Sequence, residues 1–157
     1  IRSGEAGLDI TEEDIARRSK IKDFMDKNPP IILENMRLAD ILRIFSNNDS
    51  LFYPVVDRSR ILKGIITVEG IRQTFLEFDT GGGLILANDL MEPVPATTSS
   101  DAPVSEILET LRGYDLDYLP VVKRNGQLEG FIERKKLKKF ISTKIIELQE
   151  KACSVCQ

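Results

Sequence analysis

Apolar and polar positions along this chain change period in a fixed order, and the order occurs twice. A short extended run, Ile31 to Leu33, gives way to Leu38, Ile41, Leu42 and Phe45, spaced as on one face of a helix. Two β-rich runs follow, Tyr53 to Val56 and Ile61 to Thr67, and then a second helical stripe that begins near Val68 and carries Ile71, Phe75 and Phe78. From Ala96 to Thr98 the series starts again. It continues with a helical face of Val104, Ile107, Leu108 and Leu111, runs at Leu119 to Val122 and Leu128 to Ile132, and a helix from near Arg134 with Leu137, Phe140, Ile141 and Ile145. Each unit predicts β-α-β-β-α.

The two units align without gaps at a displacement of 66 residues: Asp23-Phe24-Met25 falls on Asp89-Leu90-Met91, Pro29 on Pro95, Pro54 on Pro120, Leu62 on Leu128 and Gly64 on Gly130. This is an internal duplication. Two copies are too few for an open solenoid and each alone is marginal in size, so they are expected to share one core. The predicted fold class is α+β, two packed units related by pseudo-twofold symmetry, with Tyr53, Val55, Ile66, Leu119, Val121 and Ile132 in the core. Asn125-Gly126 in "KRNGQ" marks a hairpin turn. Thr11 and Asp14 stand at capping-box spacing and predict an additional helix ahead of the first unit. The predicted divisions are an N-terminal linker and helix (1–20), a first repeat (21–78), a Gly-rich joint (79–86), a second repeat (87–147) and a C-terminal tail (148–157).

Composition narrows the function classes. The chain of 157 residues has a net charge of −3 and a pI near 5.2, so it lacks the basic excess of a nucleic-acid binder. It has no histidine, which removes the commonest general base and the commonest transition-metal ligand. Cys153 and Cys156 form one "CSVC" without a second pair to complete a tetrahedral zinc site, and are read as a reduced tail. "GGG" at 81–83 has no following Lys-Ser/Thr and reads as a linker rather than a phosphate loop. No apolar run reaches the roughly 18 residues that span a bilayer. The chain begins at Ile1 rather than Met and is read as a segment of a longer protein. No nucleophile–base pair emerges, and no enzymatic activity is expected.

Tandem β-α-β-β-α units with "PVVD…GIIT" at the centre resemble the cystathionine β-synthase (CBS) domain, from about Ile21 to Ile145. The resemblance implies a regulatory pair whose sheets pack together, a homodimer formed through the helices, and clefts that in many members bind AMP, ATP or S-adenosylmethionine. The joint and the following "LILANDLMEPVPATTSSDAPVSEILETL" are similar to the connection between repeats in the tails of chloride channels and transporters of the CLC type. That similarity implies a membrane-protein host with this module on its cytoplasmic side. The regulatory domain of a soluble metabolic enzyme is the alternative.

In nucleotide-binding members the second hairpin strand ends in Gly, two apolar residues, Ser or Thr, and an acid three residues further on. The helix N-terminus there favours phosphate, and the acid accepts both ribose hydroxyls. The first copy reads Gly64-Ile65-Ile66-Thr67-Val68-Glu69-Gly70: Thr67 is kept, Gly70 removes the carboxylate, and Glu69 lies one residue early. The second copy has Glu133 and Lys136 at the two positions. Lys136 is either a phosphate-holding cation or, as favoured, part of a solvated face with Arg134, Lys135, Lys138 and Lys139. The candidate ligand-binding set implied by the resemblance is completed by Pro30, Ile31, Tyr53 and Pro54, and by Ala96, Thr97, Leu119 and Pro120, along the strand edges. Without the ribose carboxylate, adenine nucleotides are expected to bind weakly or not at all, and AMP, ADP, ATP and S-adenosylmethionine are the ligands the resemblance leaves open.

Overall fold

The computed structural model describes residues 11–77 and 84–156. The GGG joint and Phe78 lie outside them, as do the side chains of Cys153 and Cys156. The first helix, α1 (Glu12–Arg18), starts as its spacing predicts. The Thr11 hydroxyl accepts from the Asp14 N–H at 3.2 Å while the Asp14 carboxylate accepts from the Thr11 N–H at 3.0 Å. The first repeat then runs β1 (Ile32–Leu33), α2 (Leu38–Asn47), β2 (Phe52–Val56), β3 (Leu62–Thr67) and α3 (Val68–Glu77). The second contains α4 (Ala87–Leu90), α5 (Val104–Gly113), β4 (Tyr118–Val122), β5 (Leu128–Glu133) and α6 (Arg134–Cys156). Residues from 148, expected as a tail, continue the last helix, and Leu148 packs against the core of the second repeat.

In the first sheet β1 runs parallel to β2 and β3 antiparallel, with Tyr53 opposite Ile66. The second sheet pairs β4 with β5, with Leu119 opposite Ile132. Its third strand shrinks to one parallel bridge, in which the Thr98 N–H donates to Pro120 O at 2.9 Å and the Val122 N–H to Thr98 O at 2.8 Å. The six residues expected in the core are all buried to within 1%. The stripes of α2 and α5 add Ile41, Ile107 and Leu111 to it.

The repeats are stitched to each other reciprocally. Asp26, ahead of β1, exchanges backbone hydrogen bonds with Phe131 of β5 at 2.9 and 3.0 Å; its counterpart Glu92 does the same with Ile65 of β3 at 2.8 and 2.9 Å. At the hairpin turns the Leu62 N–H donates to Gly126 O and the Leu128 N–H to Arg60 O. Gly126 has φ 88°, which explains the glycine, while Arg60 holds the equivalent left-handed position at φ 68°. Gly64 and Gly130 sit where the other repeat crosses: a β-carbon would meet Glu92 O at 2.8 Å in the first case, and Met25 Sδ together with Asp26 O at 3.0 Å in the second. Phe52 and Tyr118, equivalent under the displacement, meet at a centroid distance of 5.0 Å, and Tyr118 stacks on Phe131 at 5.7 Å. This aromatic contact closes the junction between the sheets.

The outer faces differ. α1 buries Ile15 and Ala16 and lies against α5 and α6, so that Ile141 is only 3% exposed. Phe75, the counterpart of Ile141 on α3, is 43% exposed, and Leu76 is 74% exposed. Ile145, which its stripe would allow to point outward, is instead half-buried against the core of the second repeat.

Candidate functional site

Because each leading segment crosses to the opposite hairpin, the candidate residues divide between two clefts, and each cleft is built from both repeats. The first lies where the β3–α3 junction meets Glu92. The second lies where the β5–α6 junction meets residues 26–30 and the α2–β2 loop.

The second cleft encloses about 180 Å³ and brings together Pro30, Glu133 and Lys136 of the candidate set. It is completed by Asp26, Pro29, Asn48, Asp49, Ser50, Phe52 and Phe131. The Glu133 side chain is 16% exposed and accepts a hydrogen bond from Ser50 Oγ at 2.5 Å. Lys136 Nζ lies 3.9 Å from the Glu133 carboxylate with its side chain 60% exposed, a loose pair rather than a fixed anion receptor. With Asp26, Asp49 and Glu133 against Lys136, the lining opposes a phosphate.

At the first cleft the Thr67 hydroxyl oxygen is already engaged as a helix cap, accepting from the Gly70 N–H at 2.8 Å. Position 70 is crowded from both repeats: a β-carbon there would lie 2.9 Å from Thr67 Oγ1 and 3.3 Å from Glu92 Oε1. Glu69 is exposed and is held by Arg72 through hydrogen bonds of 3.0 and 2.6 Å, which keep its carboxyl below the ordinary range. It does not reach around the turn to replace the missing acid. Tyr118 borders this region, and its phenol is pushed up first by burial and then by the Glu92 and Asp117 charges.

The remaining candidates lie elsewhere. Tyr53, Pro54, Leu119 and Pro120 are buried. Tyr53 stacks on Phe45 at 4.7 Å, its hydroxyl has no partner, and its pKa is raised by burial and then by Glu133 and Asp49. The side chains of Tyr53 and Leu119 therefore belong to the core, and only the backbone at these positions remains for a ligand. Ile31 is half-buried, Ala96 is half-buried against the core of the second repeat, and Thr97 is exposed. Sequence reasoning missed Ser50, Asp49, Asp26 and Glu92. The signal that finds them is the crossing itself, since Asp26 and Glu92 are equivalent under the displacement that defines the repeat.

The CBS domain family matches the chain twice, over residues 21–77 and 87–143. Curated relatives include a zinc metalloprotease of Methanocaldococcus jannaschii, 27% identical over 90% of this chain and 37% of its own length. Another is the inosine-5'-monophosphate dehydrogenase of Aquifex aeolicus, 26% identical over 81% of this chain and 25% of its own. The chain thus spans well under half the length of these relatives. Among solved structures, CBSX2 in complex with AMP superposes with a TM-score of 0.66 at 20% identity, covering 79% of this chain and 96% of that one. The CBS domain pair of protein MJ0100, in complex with 5'-methylthioadenosine and S-adenosyl-L-methionine, gives 0.65 at 22% identity, covering 78% and 98%. Two matched halves, crossed into one α+β unit, make this chain a tandem pair: it belongs to the CBS domain family.

Proposed function

We propose that this CBS pair is the regulatory module of a larger host, and that it dimerises and passes a conformational change at its clefts to a neighbouring domain. The observation that carries this is the reciprocal crossing. The second cleft has walls from both repeats, so a ligand there that fits two arrangements of the repeats unequally would shift how they sit against each other. AMP and S-adenosyl-L-methionine in the related structures make an adenosine-type ligand the class to test. In this chain the acid lining of the second cleft and the glycine at position 70 disfavour tight binding of AMP, ADP or ATP.

Dimerisation would use α2 and α3, where Leu42, Phe75 and Leu76 are exposed. The linker sequence favours a CLC-type membrane protein as host, with the module on the cytoplasmic side. Among the described residues no helix is long and apolar enough to cross a membrane. A metabolic-enzyme host is the second reading, favoured by the dehydrogenase relative. An apolar run of about 20 residues upstream of Ile1 supports the first host, and a catalytic-domain sequence there the second.

The test is calorimetric titration with AMP, ADP, ATP and S-adenosylmethionine, with light scattering before and after. A concentration-dependent dimer that Leu76→Glu disperses, with dissociation constants no tighter than about 100 µM for the nucleotides, is expected. Micromolar nucleotide binding, or a monomer at all concentrations, overturns the corresponding part.

A further inference from the structure

We propose that the second cleft takes a small, free organic ammonium ion, an alkyl amine or diamine, between the carboxylates of Asp26, Asp49 and Glu133 and the rings of Phe52 and Phe131. This rests on the reading of that cleft as the place where a ligand acts on the pair, and it deepens that reading by naming the class of ligand.

The cleft encloses about 180 Å³, below the roughly 300 Å³ at which sites for drug-sized ligands begin. A short aliphatic chain suits it better than a nucleotide. The hydrogen-bonding capacity of the walls then decides the sign of the ligand. Pro29 and Pro30 have no N–H to offer. The Asn48 amide nitrogen already donates to Ile44 O at 2.8 Å, and Ser50 gives its one proton to Glu133. The backbone N–H groups of Phe52 and Phe131 donate to Ser50 Oγ at 3.3 Å and to Asp26 O at 3.0 Å. Acceptors remain. Asp49 has no hydrogen-bond or ion-pair partner among the described residues, and the Asp26 carboxylate has only the Asn28 N–H, 3.0 Å from one of its oxygens. A ligand that enters must bring donors and positive charge.

The positive end of α6 does not reverse this, because Glu133, immediately ahead of the helix, sets a carboxylate against it. Lys136, the only cation among the residues that line the cleft, lies 3.9 Å from Glu133 with its side chain 60% exposed. It is itself an alkyl ammonium tethered at the rim, and a free amine displaces it from Glu133.

Two observations separate an organic cation from a metal ion. The carboxylates are dispersed around the walls, and among the described residues no group of three acidic, cysteine or histidine side chains is placed to hold a metal ion. Phe52 and Phe131 add aromatic surface, which covers alkyl carbons and attracts an ammonium group. The Tyr53 hydroxyl is a separate sign that a polar partner is missing here. It is fully buried, makes no hydrogen bond, and the charges that face it are those of Glu133 and Asp49. Its oxygen can accept an N–H while its proton turns to a carboxylate.

The experiment is calorimetric titration of the chain with putrescine, with its uncharged counterpart butane-1,4-diol, with magnesium chloride and with AMP, at low and at physiological salt. The variants are Glu133→Gln, Asp49→Asn, Lys136→Gln and, away from the cleft, Glu109→Gln. Putrescine should bind, more weakly as salt rises, and the diol should not. Glu133→Gln should weaken putrescine by about tenfold and Asp49→Asn by about two- to fivefold. Lys136→Gln should tighten it by about two- to fivefold, since the tethered competitor is gone, whereas a phosphate-holding lysine would make the same change weaken AMP. Glu109→Gln should change nothing, and thermal melts show that each variant is folded. If putrescine binds but Glu133→Gln and Lys136→Gln leave it unchanged, or if the diol binds as well, the amine assignment is wrong. If AMP or magnesium binds more tightly than putrescine and Glu133→Gln alters that binding, the assignment is wrong and the cleft reading stands. If none of these probes binds at millimolar concentration, both fall.

Discussion

Ser50 and Glu133 stand 83 residues apart in the chain and are joined by a 2.5 Å hydrogen bond from the serine hydroxyl to the carboxylate. The same hydroxyl is 2.9 Å from Phe52 O, but it has one proton, and the charged acceptor holds it more strongly. Replacing Glu133 by Thr breaks this tie, removes a negative charge and puts a hydroxyl where phosphate-binding members of the family carry one. The expected outcome is an AMP-to-adenosine affinity ratio raised by about tenfold, together with a stability loss of about 1–2 kcal/mol. Calorimetry and urea denaturation of the one variant check both.

Gly64→Ala and Gly130→Ala place a methyl group against the crossing segment of the other repeat, 2.8 Å from Glu92 O in one case and 3.0 Å from Asp26 O and against Met25 Sδ in the other. Each should destabilise the whole pair by about 1–3 kcal/mol, seen as a lower urea midpoint. Gly113→Ala, at the end of α5 with nothing within 4 Å, is the control and should be neutral or stabilise by about 0.5–1 kcal/mol.

Tyr53→Phe removes a buried hydroxyl that has no hydrogen-bond partner while keeping the ring that stacks on Phe45. Stability should stay within about 0.5 kcal/mol of the wild type or rise by about 1 kcal/mol, because a desolvated, unpaired polar group is lost. Equilibrium urea unfolding measures the difference. A loss above about 1.5 kcal/mol would mean that the hydroxyl is satisfied in solution.

The Thr11–Asp14 box predicts an acid dependence of α1. The Asp14 carboxyl lies below its ordinary value of 3.8 in the fold, chiefly because it accepts the Thr11 N–H and hydroxyl. A depressed carboxyl pKa contributes stability that is complete above the unfolded value and disappears as the pH falls through the folded one. The difference between wild type and Asp14→Asn should therefore be constant from neutral pH down to about the unfolded value of 3.8 and be lost progressively as the pH falls further. Thermal melts of both proteins across that range, read from the α1–α6 contact, show it.

Much of this architecture was legible because the chain contains its own alignment. Pro54 with Pro120 and Gly64 with Gly130 locate both hairpins, and the stripes from Val68 and Arg134 start where α3 and α6 start. Glu133 and Lys136 could be placed at a cleft for the same reason. The contacts that define the clefts were harder to read, since Ser50–Glu133 and Ile65–Glu92 join segments in different repeats and no local period records which strand a loop will cross. Glu69 misleads for a local reason: Arg72, three residues on, captures it on the helix surface. The end of α6 is hidden by "CSVC", which draws attention to chemistry at a place where helix propensity of the preceding Lys and Glu residues carries the backbone through to Cys156.

The exchange of leading segments also sets a schedule for synthesis. Residue 77 completes the helices and strands of the first repeat, yet the backbone that lies along Ile65 arrives only with Glu92, and the strand that receives Asp26 only with Phe131. At ordinary elongation rates the ribosome takes roughly 3–10 s to add that remaining stretch. Throughout this interval the nascent first half carries an unfilled groove over Gly64 and an unpaired stretch at Asp26, and it cannot lock. The second half is born into a waiting partner, and the pairing of Asp26 has to wait for β5.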